Sequence, residues 1–129
     1  MKTVSTDKAP AAVGPYSQAL EVNGFVFCSG QIGIDPKTGN LVDGFENQVR
    51  QVLSNLKAVL IEAGSDFEHV VKTTVYIKNM NDYPLFNKVY GEYFKNHKPA
   101  RATVEVSRLP KDCLIEIEAI AVKKLIKYL

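Results

Sequence analysis

Residues 101–122 read RATVEVSRLPKDCLIEIEAIAV, and the pairing of this stretch decides the fold. Two strand-like runs flank a turn at Leu109-Pro110-Lys111-Asp112, which predicts a hairpin. In the first run Arg101, Thr103 and Glu105 alternate with Ala102, Val104 and Val106, so the two sets point to opposite faces. In the second, Glu116 and Glu118 share one face, while Ile115, Ile117 and Ala119 share the other. A register that opposes Arg101 to Glu118 and Thr103 to Glu116 gathers four polar side chains on one face. A slip of one residue would press carboxylates against the apolar side. The expectation is therefore one guanidinium and two carboxylates converging on a sheet surface. On pattern alone a solvated sheet face accounts for them, because antiparallel sheets often have one wet side and exposed ion pairs contribute little. A functional face would need a loop or a partner subunit to close it.

Working outward, Pro99 separates this stretch from a helical pattern. Asn81 or Asp82 can cap that helix, Pro84 sits in its first turn, and Leu85, Phe86, Val89, Tyr90, Tyr93 and Phe94 supply a buried side. Asn87 falls at the boundary of that stripe. Before it, Val70 to Lys78 is rich in β-branched residues and predicts a strand. An earlier helix is marked by Asp43 with Glu46 three residues later, as in a capping box. Val49, Val52, Leu53, Leu56, Val59, Leu60 and Ala63 form its apolar stripe, and Gly64 is its stop. Asn23-Gly24, between Ser17–Val22 and Phe25–Ser29, predicts a type I′ hairpin with Leu20, Val22, Phe25 and Phe27 on one face. Gly30 and Gly33, beside that strand, mark a bulge or a close approach to the backbone. Asp35 to Gly39 is a turn, with a short extra strand near Leu41. Residues 1–15 read as an irregular entry arm. The order strand, strand, helix, strand, helix, strand, strand predicts an α+β fold, with a mostly antiparallel sheet and both helices on one face.

The 129 residues predict one domain, 1–129, large enough for a substantial core. With 16 basic and 14 acidic side chains the net charge is +2, so nothing in the balance calls for nucleic acid. Apolar residues make up 46% and charged residues 23%, which is ordinary for a soluble globular protein. The opening residues lack the apolar run of a secretory signal, and no run approaches membrane-span length. The tail Lys123–Leu129 reads as a strand end and packed tail rather than an anchor. Cys28 and Cys113 form no CxxC, have no nearby histidine, and fall in strand-like runs, which argues against zinc and for a reducing compartment.

Ser17, Ser29 and Ser107 lack a nucleophile-elbow context, and His69 and His97 fall at element boundaries. There is no phosphate loop, dinucleotide fingerprint or HExxH. Arg101 remains, since its fork suits a small-molecule carboxylate. A nearby acid such as Glu116 could orient a water or handle a proton.

The blocks Gly14-Pro15-Tyr16-Ser17-Gln18-Ala19, Ser29-Gly30-Gln31-Ile32, Val71-Lys72-Thr73-Thr74-Val75, Pro99-Ala100-Arg101, and Arg108-Leu109-Pro110-Lys111 with Ile115-Glu116-Ile117-Glu118-Ala119 strongly resemble the RidA (YjgF) family. They run in order over nearly the whole chain. The resemblance implies a chorismate-mutase-like fold and a cytoplasmic homotrimer with clefts between subunits. It also implies hydrolytic deamination of 2-imino and enamino acids, such as 2-iminobutanoate and 2-iminopropanoate, to 2-oxo acids and ammonia, with no metal or organic cofactor. By motif, Arg101 would bind the substrate carboxylate and Glu116 would position the water. Tyr16 would line the cleft from a neighbouring subunit, with Ser29, Gly30 and Asn87 at or near it. Glu118 would be structural. Thr103 departs from members that have Cys there, so a role for it would run through its backbone. Family members are also linked to RNA cleavage and inhibition of translation, which the near-neutral charge does not favour. Relatives without the arginine leave a ligand-binding or chaperone-like role as a third class.

Overall fold

The computed structural model describes residues 1–124. Its elements are β1 (Lys2–Val4), β2 (Ala19–Val22), β3 (Phe25–Gln31), α1 (Phe45–Glu62), β4 (Val70–Ile77), α2 (Tyr83–Tyr93), β5 (Ala100–Glu105) and β6 (Ile115–Val122). Both helices pack on one face of a mixed six-stranded sheet of order β1-β2-β3-β6-β4-β5, giving the expected α+β class. The tail expected to pack after the last strand falls largely at residues 125–129, outside the described residues.

The last two strands do not form the expected hairpin. β6 runs antiparallel between β3 and β4, and β5 pairs in parallel with β4 at the sheet edge. The physical reason lies in the two strands' burial. In β6, Ile115, Ile117, Ala119 and Ala121 are all buried, as suits a central strand. In β5 neither face is fully covered, as suits an edge. A strand, a helix and a strand in succession supply the long crossover that a parallel pair requires.

The α1 stripe is the centre of the core. Val49, Val52, Leu53, Leu56, Val59 and Leu60 have no exposed surface, and they face buried Val26, Ile115 and Ile117. Burying each such side chain stabilises the fold by about 1.5–3 kcal/mol. The expected capping box does not form: Gly44 is the N-cap, with φ 88° and no side-chain cap bond. Glu46 instead pairs with Arg50, which also reaches Glu92 in α2. Gly64, at φ 81°, ends the helix as expected.

The hairpin at Asn23-Gly24 is present, with Val22 opposite Phe25 and positive φ at both turn residues. The entry arm is more ordered than expected. Lys2–Val4 adds a strand to β2. Buried Gln18 accepts a hydrogen bond from the Thr6 backbone N–H (2.7 Å) and donates to the carbonyls of Thr6 (3.0 Å) and Pro10 (2.7 Å).

Candidate functional site

Register places the candidate residues on two sides of the sheet. Along β4, buried Thr73 and Val75 face the helices, and Arg101 and Thr103 of β5 lie beside them in register. Tyr76 and Thr74 of β4 point the other way, with Glu116 and Glu118 of β6 beside them. The expected gathering of Arg101, Thr103, Glu116 and Glu118 on one face is therefore overturned. Arg101 and Thr103 are on the helix side, and the two acids are on the open side. With β4 between their strands, Arg101 and Glu116 are also separated by two strand spacings, about 10 Å.

The open side assembles Tyr16, Ser29, Gly30 and Glu116. The β3–β6 register passes from Cys28 opposite Ala119 to Gln31 opposite Ile117, so Ser29 and Gly30 form a bulge. Ser29 is held to the arm before β2, its N–H donating to the Gln18 carbonyl (3.0 Å) and its hydroxyl to the Ser17 carbonyl (2.6 Å). Gly30 makes room for the acid: a Cβ there would overlap Glu116 Oε2 and lie 2.9 Å from the carboxyl carbon. Tyr16, Ser29, Gly30, Ile32, Pro110 and Glu116 line one hollow. Burial, and then the Glu118 charge, raise the Glu116 pKa above the usual glutamate value. Glu118 is exposed and accepts a hydrogen bond from the Tyr76 hydroxyl (2.8 Å).

The helix side assembles Arg101, Thr103 and Asn87. The Arg101 guanidinium carbon lies 5.6, 5.3 and 4.9 Å from the ring centres of Tyr83, Phe86 and Tyr90. Contacts of this kind are worth about 0.5–2 kcal/mol each and fix the plane of the guanidinium. Arg101 Nη2 donates to the Tyr83 hydroxyl (2.6 Å). Tyr90 is held in turn by a 2.8 Å hydrogen bond between its hydroxyl and Thr73 Oγ1. Arg101 borders two hollows, one shared with Asn87, Tyr90, Phe94 and Pro99 and the other with Met80, Tyr83 and Thr103. The buried Thr103 Oγ1 has no hydrogen-bond partner among the described residues.

The aromatic bed under Arg101 was absent from the candidate residues drawn from sequence. Its signal was the spacing of Tyr83, Phe86 and Tyr90 at i, i+3 and i+7 on α2, which reads equally as core. Neither cysteine can serve as a nucleophile near neutral pH. Burial pushes the Cys28 thiol up to about 12 and the Cys113 thiol up to about 11.

Hollows lined by the candidate residues thus lie on both faces of the α+β sheet, two beside Arg101 and one beside Glu116. Residues 6–123 match the family model described as Endoribonuclease L-PSP. The chain is 56% identical over 124 residues to a RutC family protein of Pyrococcus horikoshii, covering 95% of this chain and 98% of that one. It is 50% identical over 123 residues to the 2-iminobutanoate/2-iminopropanoate deaminase of Mus musculus, covering 95% and 91%. A solved structure from Thermotoga maritima, provisionally described as an endoribonuclease, superposes with a TM-score of 0.93 at 51% identity, covering 96% of this chain and 98% of that one. The protein belongs to the RidA (YjgF) family.

Proposed function

We propose that the protein is a homotrimeric hydrolytic deaminase of 2-imino and enamino acids, 2-iminobutanoate and 2-iminopropanoate among them, releasing 2-oxo acids and ammonia. The observation that carries this reading is the division of the candidate site. Arg101, Asn87 and Thr103 border hollows on the helix side, whereas Tyr16, Ser29, Gly30 and Glu116 line a hollow on the open side. One small substrate cannot reach both halves within a single chain. A second copy that brings its open side against the Arg101 edge completes the site.

The chemistry suits these parts. The Arg101 fork holds the substrate carboxylate in position and plane. Glu116 places a water beside the imine carbon and takes up its proton as the C–O bond forms. Glu116 returns that proton to the carbinolamine nitrogen and accepts the hydroxyl proton as the C–N bond breaks, so ammonia leaves and the 2-oxo acid's carbonyl forms. The imine carbon is already electrophilic, so orientation in a closed cleft accounts for most of the acceleration required. The open face also presents Phe25 and Phe27, 45% and 43% exposed, as apolar surface for a second and third copy to cover. Two buried free thiols fit action in the reducing cytoplasm.

The test is to generate 2-iminobutanoate with a dehydratase and follow its decay with and without the protein. The decay should accelerate with wild type, Arg101→Ala should nearly abolish the effect, and Arg101→Lys should recover a small part. A well-folded Arg101→Ala oligomer with wild-type activity would end this assignment. The second reading, RNA cleavage, rests on the family model's description and the Thermotoga relative. The net charge of +2 speaks against it, and a nuclease assay on purified oligomer tests it.

A further inference from the structure

The contact that the proposed mechanism leaves unused is the 2.6 Å hydrogen bond from Arg101 Nη2 to the Tyr83 hydroxyl. In that bond the phenol oxygen is the acceptor, because a guanidinium can only donate. The Tyr83 hydroxyl proton is therefore free to point elsewhere. Tyr83 and Arg101 border the same hollow. Two groups that can donate to one anion thus meet there: the guanidinium and the Tyr83 hydroxyl.

We propose that Tyr83 is the positioning residue of Arg101 and that its hydroxyl completes the seat for the ligand's carboxylate. This inference rests on the carboxylate-binding role given to Arg101 above. The Tyr83 ring and its hydroxyl have separable duties. The ring is one of the three surfaces on which the guanidinium stacks. The hydroxyl fixes rotation of the fork within its plane and lends its own proton to a carboxylate oxygen. Tyr83→Phe keeps the first duty and removes the second.

The experiment measures binding of 2-oxobutanoate, an unreactive product-like acid, by titration calorimetry, together with KM and kcat for imine decay. Wild type, Tyr83→Phe and Arg101→Ala are compared as whole oligomers. Removing a hydrogen bond to a charged group should weaken binding about tenfold in Tyr83→Phe. The rise should appear in KM with kcat little changed, as for a contact made equally in ground and transition states. The melting temperature of Tyr83→Phe should stay near that of wild type. Wild-type affinity and KM in Tyr83→Phe, with binding lost in Arg101→Ala, would overturn the inference and leave the role of Arg101 standing. Wild-type binding in Arg101→Ala would overturn the carboxylate reading itself. A fall in the melting temperature of Tyr83→Phe without any change in KM would make the hydroxyl structural and also overturn the inference.

Discussion

Glu116 is held where a carboxyl keeps its proton longer than usual, half-buried and beside the charge of Glu118. Placing a water as an acceptor requires the carboxylate. The protein-dependent rate should therefore fall as pH drops through a midpoint above the ordinary glutamate value. Glu118→Gln should move that acid limb to lower pH by removing the like charge, and Glu116→Gln should remove the limb along with most of the rate. A rate profile unchanged by Glu116→Gln in a folded oligomer would shift water placement to the backbone. The sign for stability is the reverse. The folded state binds this proton more tightly than the unfolded state. Its contribution is fully present below the unfolded pKa and is lost as pH rises through the raised folded value.

Two glycines near that acid separate activity from stability. The atoms nearest a Cβ at Gly30 belong to the Glu116 side chain, whereas one at Gly33 comes within 2.9 Å of the Gln48 Cα. Gln48 is buried, accepting from the Leu114 N–H (2.8 Å) and donating to the Val42 carbonyl (3.1 Å), so it has little freedom to move. Gly30→Ala should swing Glu116 aside and cut turnover with little effect on unfolding. Gly33→Ala should cost about 1–3 kcal/mol in denaturant melts. A close approach at these glycines was legible in the sequence. The identity of what approaches was not, because it depends on the β3–β6 register and on where α1 begins, both of which are long-range.

At the scale of the element, local chemistry was legible and partnership was not. The Asn23-Gly24 turn depends on its own backbone, with φ of 52° and 82°, and among the described residues nothing lies within 4 Å of a Cβ at Gly24. Gly24→Ala should therefore cost about 1 kcal/mol, from the left-handed conformation alone. A urea series on the otherwise unchanged chain would measure this, and a neutral result would mean that the turn relaxes to another type. In the stretch from Arg101 to Val122, alternation correctly told which side chains share a face within each strand. It could not tell that β4 lies between the two strands, which separates Arg101 from Glu116. The turn at Pro110–Asp112, with Lys111 and Asp112 both at positive φ, ends a connection that passes across β4 instead of closing a hairpin. The capping box failed for a related reason. Gly44, with φ 88°, takes the N-cap position, and Glu46 is drawn to Arg50.

At the scale of the whole molecule, the separation of the two half-sites makes a prediction that no single-chain site could satisfy. If each site takes Arg101 from one chain and Glu116 from another, Arg101→Ala and Glu116→Gln damage different halves. Each variant alone forms oligomers with every site broken. When the two are unfolded together in equal amounts and refolded, chains mix at random. A site is then intact when its arginine comes from the Glu116→Gln chain and its acid from the Arg101→Ala chain. Each event has a chance of one half, so about a quarter of wild-type activity should return, whatever the number of chains in the closed ring. Light scattering on the same samples should give three chains per particle, and refolding each variant separately before mixing should recover nothing until subunits exchange. No recovery from a well-mixed, correctly sized oligomer would place both halves' work within one chain and would sink the composite site. Recovery near a quarter would tie the open-side hollow of one copy to the Arg101 edge of the next, which the fold keeps apart in a single chain.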